Sequence, residues 1–91
     1  MREFVISTVI SSAANTAASA YATLKQMGYV VSVSEDGKFW RGQRADCSLV
    51  AEDPLTMLGL AKLYELRPKN WRPSDAEVDE FVQFCLTAKL D

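Results

Sequence analysis

The sequence contains no histidine, so it lacks the side chain that most often serves as a general base or metal ligand near neutral pH. The same absence excludes Ser–His and Cys–His nucleophilic pairs. Only two cysteines are present, Cys47 and Cys85, and neither has a neighbour at metal-ligand spacing. We therefore predict a protein that is not an enzyme and that holds no cofactor or metal. We expect both thiols to be small core residues, with one disulfide as the alternative.

The chain also lacks a glycine-rich phosphate loop and a nucleophile elbow. No apolar run approaches the roughly 18 residues that a membrane-spanning helix needs. The first 20 residues loosely imitate a secretory signal, but Glu3 and the interspersed serines and threonines argue against one, so we expect a cytoplasmic protein. The net charge of −2 gives no overall field for nucleic acid or membranes.

What the sequence does contain is typical of a globular protein. Of its 91 residues, 48% are hydrophobic and 24% are charged, which argues against disorder. A chain of this length predicts a single domain, residues 1–91, with a modest core.

Four segments have the alternation or β-branched composition of strands: residues 3–10, 29–34, 39–41 and 47–51. The first is apolar on both faces, which places it near the centre of a sheet. A small-residue helix is predicted between the first two strands, ending at Gly28. Asp36 and Gly37 predict a hairpin turn between the second and third strands, because this pair adopts the positive φ angles that such turns need.

Two further helices are predicted from their end residues. Asp53 and Pro54 fit the amino-terminal cap and the first position of a helix that Pro68 ends. This helix is apolar on most of its circumference, so we expect it to lie between other elements, with Gly59 allowing a neighbour to come close. Ser74 and Glu77 form the capping-box pattern of the last helix, which we expect to pack one apolar face on the core: Val78, Phe81, Val82, Cys85 and Leu86.

The predicted order is therefore strand, helix, three strands and two helices. This order indicates an α+β fold, a two-layer sandwich of about four strands in an antiparallel or mixed sheet, with helices on one face.

Two stretches are both basic and aromatic, and they could carry a function. Residues 38–44 contain Lys38, Trp40, Arg41 and Arg44, and residues 67–73 contain Arg67, Lys69, Trp71 and Arg72. Tryptophan beside arginine is typical of protein interfaces and also of surfaces that stack on nucleic-acid bases. The candidate binding residues are Trp40, Arg41, Arg67, Trp71 and Arg72. The alternative is structural, with both tryptophans in the core.

Three functions remain open on this basis. The first is a small cytoplasmic protein-interaction module of bacterial or phage origin, acting as an accessory protein, an inhibitor or an immunity-type antagonist. The second is a nucleic-acid binder that uses the hairpin from Lys38 to Arg44 and the loop from Arg67 to Arg72. The acidic amino end of the last helix disfavours helix-led binding of that kind. The third is a self-associating domain, which would form a homodimer.

Overall fold

A computed structural model describes residues 5–12 and 15–88 of the chain. Within them, three helices and three strands follow in the order α1 (Thr16–Gln26), β1 (Val30–Val33), β2 (Trp40–Arg44), β3 (Cys47–Ala51), α2 (Pro54–Leu66) and α3 (Asp75–Thr87). The strands form one antiparallel sheet in the order β1-β2-β3. The predicted α+β class is confirmed.

The sheet has three strands in the described residues, where the sequence predicted about four. Residues 5–10, most of the predicted first strand, have no regular secondary structure, while residues 3 and 4 lie outside the described residues. Four large side chains of this segment, Val5, Ile6, Val9 and Ile10, are 73–94% exposed. A β-branched composition favours a strand only where a neighbouring strand accepts it, and in this structure none is paired with these residues.

The turn from α1 into β1 is fixed by Gly28, as predicted. Gly28 has a φ of +94°, its amide donates to the carbonyl of Lys25, and the amide of Tyr29 donates to the carbonyl of Leu24. These two bonds are those of a Schellman motif, in which a residue with positive φ closes the helix. The motif brings Leu24 and Tyr29 together, and both are buried in the core.

The predicted β1–β2 hairpin is also confirmed. One Asp36 carboxylate oxygen accepts from the hydroxyl of Ser34 at 2.6 Å and from the amide of Lys38 at 3.0 Å. Gly37 supplies a φ of +74°. These bonds, which hold the pKa of Asp36 below its ordinary range, close the turn locally.

Helices α1 and α2 pack side by side on one face of the sheet. The core between the layers is small: Leu24, Tyr29, Leu49, Ala51, Met57 and Ala61. Met57 reaches the middle strand because position 42 is a glycine, where a Cβ would lie 2.9 Å from the Met57 sulfur. The opposite face of the sheet is open, and Val30 on it is 72% exposed.

Helix α2 begins as the sequence predicts, with Asp53 accepting from the amide of Thr56 at 2.7 Å and Pro54 at its start. It packs against α1, β2 and β3, as expected. The expectation for Gly59 is wrong, because a Cβ at this position would meet no atom of the described residues within 4 Å. Gly59 therefore does not serve a close approach.

The two glycines should respond in opposite ways to alanine substitution. Gly59→Ala should raise the free energy of unfolding by about 0.5–1 kcal/mol. Alanine lowers the backbone entropy of the unfolded chain, and its methyl group meets no steric conflict in the helix. Gly42→Ala should lower the free energy of unfolding by about 1–3 kcal/mol, because the added methyl group overpacks against Met57. Urea unfolding followed by circular dichroism measures both. Equal effects of the two substitutions would contradict this packing.

Candidate protein-interaction surface

Helix α3 has well-formed ends. The Ser74 hydroxyl accepts from the amide of Glu77 at 3.2 Å, and Glu77 accepts in return from the amide of Ser74 at 2.9 Å. This is the predicted capping box, which satisfies two amides that the helix itself leaves without partners. The acidic residues of the first turn, Asp75 and Glu77, also match the positive end of the helix dipole. The helix therefore starts where local chemistry dictates.

The side chains of α3 are not covered by the rest of the described structure. None of its 13 residues is buried, and its large hydrophobic residues are 44–70% exposed: Val78, Phe81, Val82, Phe84 and Leu86. Cys85 is exposed and unbridged, and Cys47 is partly buried. The prediction that α3 packs on the core is therefore wrong, because α1 and α2 already cover the sheet face. The expected burial of Cys85 is wrong for the same reason.

One ion pair joins α3 to the end of α2. A terminal nitrogen of Arg67 lies 2.8 Å and 2.9 Å from the two carboxylate oxygens of Glu77. The hydrogen bonds from Arg67 and then from the Ser74 amide hold the pKa of Glu77 below its ordinary range. One carboxylate thus serves both the helix cap and the contact with α2. The predicted site residue Arg67 is in this way engaged within the chain.

Trp71 and Arg72 lie between α2 and α3, on the α2–α3 loop. Trp71 is 50% exposed, and the guanidinium carbon of Arg72 lies 4.7 Å from the centre of its ring. Trp71 lines a groove of about 410 Å³ along β3, together with residues 46–50, Leu60, Tyr64 and Pro68. A half-exposed tryptophan stacked under arginine, beside an apolar groove, has the composition of an interface anchor.

The structure does not bring the other predicted residues to this groove. Trp40 is partly buried and packs against the core cluster, and its strand partner is Ala51. Arg41 is exposed on the opposite face of β2. Arg44 donates to the carbonyl of Met27 at 2.9 Å and lies over the ring of Tyr29. The two basic aromatic stretches are therefore separate features, and only the second one lies beside α3.

Phe84 lies outside the single apolar stripe that the sequence predicts for α3, so no role is predicted for it. The amino-acid pattern of α3 nevertheless indicates that the helix needs more than one contact. Phe84 widens the apolar arc of α3 beyond the predicted stripe, which already includes Leu86. An arc this wide is typical of a helix with neighbours on more than one side, yet none of the α3 residues is buried within the described structure.

The charge of α3 has one sign. Its 13 residues include four acidic ones and no basic one: Asp75, Glu77, Asp79 and Glu80. Apart from the contact between Glu77 and Arg67, no ion pair reaches these carboxylates from the described residues. The helix thus presents apolar side chains together with an acidic amino end.

Residues 5–12 and 15–88 hold no group of three cysteine or acidic side chains that could bind a metal ion. None of the helices described here has the length and apolar character for crossing a membrane. Comparison with protein-family models, with curated proteins and with solved structures finds no match to the chain. Function is therefore argued from the geometry of α3 and its surroundings.

Breaking the ion pair should loosen α3 without affecting the sheet. Arg67→Gln should lower the backbone order parameters of α3, while those of β2 and of α2 up to Ala61 stay unchanged. In the unsubstituted protein the same loosening should appear as the pH falls, because the pKa of Glu77 is depressed and the contact is lost on protonation. The ion pair between Arg67 and Glu77 is fully formed at pH values above the ordinary pKa range of glutamate.

Relaxation of backbone ¹⁵N nuclei measures both effects. Lys62→Gln is the matched control, because it removes the exposed contact of Lys62 with Glu65 and leaves Arg67 in place. An α3 that is equally ordered in Arg67→Gln and at low pH would show that this ion pair does not hold it.

Proposed function

We propose that this chain is a small cytoplasmic protein-interaction module that acts by binding and has no catalytic activity. The observation that carries the proposal is α3, a complete, capped helix whose large hydrophobic side chains are 44–70% exposed. Soluble monomers rarely expose large contiguous apolar patches, and patches of that kind usually mark interaction sites.

Energetics favour a partner for this helix. A 13-residue helix is marginal in water on its own, since nucleation is costly and helix stability comes mainly from packing. Covering one aliphatic or aromatic side chain contributes about 1.5–3 kcal/mol, before the entropy lost on association is subtracted. A second protein with an apolar groove would supply the missing contacts, in the helix-in-groove mode of recognition.

The neighbouring loop adds anchors for the same partner. Arg67 ties the start of α3 to the end of α2, and Trp71 is held under Arg72 beside the β3 groove. Stacking against Arg72 restricts the Trp71 side chain, which lowers the entropy lost on binding. A partner that covers α3 would reach Trp71 and Arg72, the two predicted binding residues that are exposed on the α2–α3 loop.

The charges support a protein partner over a nucleic acid. The carboxylates of α3 would repel phosphate, and Arg44 and Arg67 are engaged by groups of the chain itself. The mode of action suggested by these features is that of an accessory protein, an inhibitor or an immunity-type antagonist. In each of these roles the protein acts by occupying a surface of its partner.

Substitution of Phe81 tests this function. Phe81→Ser should abolish the capture of partner proteins from a lysate of the producing organism, because it removes a central apolar side chain of α3. Val30→Ser is the matched control, since Val30 is equally exposed but lies on the open sheet face. The control should capture as the unsubstituted protein does. Bound proteins are quantified by mass spectrometry after nuclease treatment.

Three results would contradict the proposal. Capture that survives Phe81→Ser removes α3 as the site. Recovery that disappears with nuclease and falls steeply with salt indicates nucleic-acid binding. Light scattering covers self-association: a dimer that Phe81→Ser converts to a monomer would make a second copy of the chain the occupant of α3.

A further inference from the structure

Strand β1 forms one edge of the sheet, and the direction of its outer peptide groups follows from a single bond. The amide of Ser34 donates to the carbonyl of Phe39 at 2.8 Å, so Ser34 bonds toward β2. Residues along an antiparallel strand alternate between bonding to the neighbour and pointing away from it. In β1, Val31 and Val33 therefore direct their N–H and C=O groups away from β2, toward the free edge.

The same alternation describes the other edge. Residues 41 and 43 of β2 bond toward β1, so residues 40, 42 and 44 bond toward β3. In β3, Ser48 and Val50 then direct their peptide groups away from the sheet. Each edge thus offers two residues whose backbone groups could bond to a further strand, and open edges of this kind are normally covered in native proteins.

The beginning of the described chain contains an apolar segment that pairs with none of the three strands. Residues 5–10 have no regular secondary structure, and Val5, Ile6, Val9 and Ile10 are 73–94% exposed. β-branched residues of this type favour strands because their side chains pack well on a pleated surface. Among residues 5–12 and 15–88, both the segment and the β1 edge lack the neighbour that each would need for a complete ladder of hydrogen bonds.

The connectivity directs this segment to β1. Helix α1 returns directly into β1 through three residues, Met27, Gly28 and Tyr29, and packs on that strand. Residues 11–15 separate the segment from α1, which is an ordinary length for a strand-to-helix connection. The 11 residues of α1 span about 16 Å, and six extended residues span about 20 Å. A strand at residues 5–10 would therefore lie parallel to β1, in a strand–helix–strand unit.

From these observations we infer that the free edge of β1 is the docking site of residues 5–10 of the same chain. Docking adds a parallel fourth strand, bonded to the peptide groups of Val31 and Val33, and the present structure shows the undocked form. The short tether gives the segment an effective concentration in the millimolar range at this edge, above that of a second copy at micromolar protein. The β3 edge lies two strands farther away, and α3 takes no part.

Amide hydrogen exchange, followed residue by residue by NMR, tests the docking. The amides of Val31 and Val33 should exchange about tenfold or more slowly than those of Ser48 and Val50, the matched groups on the other edge. The double substitution Ile6→Pro and Val9→Pro should remove this difference, because residues of a strand alternate and one of these two positions directs its amide toward β1. Circular dichroism verifies that the variant keeps its helices and sheet.

The remaining outcomes overturn the inference. Rapid exchange at Val31 and Val33 in the unsubstituted protein means that the edge is open. Slow exchange that persists in the double proline variant means that something else covers the edge. Protection that rises between about 20 μM and 500 μM protein assigns the edge to a second copy. Protection that appears at Ser48 and Val50 instead places the segment on β3.

Discussion

The close approach of Met57 to Gly42 is the contact on which the rest of this structure depends. Only a glycine leaves space for the thioether at the middle strand, where a Cβ would lie 2.9 Å from the sulfur. This contact sets the distance between α2 and the sheet, and α2 in turn positions α1 beside it. The buried residues then fill the volume between two helices and three strands. Because this core is small, the helix layer is complete without α3.

The completeness of that layer explains the surface. Helices α1 and α2 already cover one face of the sheet. Within the described residues, α3 therefore packs on no apolar surface and follows the end of α2. The described ion pair between α3 and the end of α2 is that of Arg67 with Glu77. A helix held by an ion pair can adjust to a partner more easily than one held by a core, because the contact can be re-made with small movements.

The two uncovered parts of the chain differ in physical type. The segment at residues 5–10 needs backbone partners and is suited to a sheet edge, whereas α3 has satisfied its own backbone bonds and needs only apolar contact. The first can be completed inside the chain, because its tether to α1 is short. The second packs on no apolar surface of the described residues, and a partner protein is the occupant proposed for it. The proposed interaction function and the inferred docking on β1 therefore concern separate surfaces.

The sequence by itself determined the features that depend on near neighbours in the chain. The stop at Gly28, the turn at Asp36 and Gly37, and the caps at Asp53 and Ser74 are all found, because each rests on hydrogen bonds spanning a few residues. The α+β class follows from the order of these elements. Local chemistry is readable from sequence because the interacting groups are adjacent in it.

Only the tertiary structure decided which surfaces are free. The apolar stripe of α3 indicated a core helix, since periodicity shows that a face is apolar and not whether anything covers it. The strand pattern at residues 5–10 likewise specified a preference without a neighbour to bond. Trp40 and Trp71 looked equivalent in sequence, yet one packs on the core and the other lies beside α3. These outcomes depend on how much of the sheet face α1 and α2 already cover. That area is a property of the whole fold and cannot be read from any local pattern.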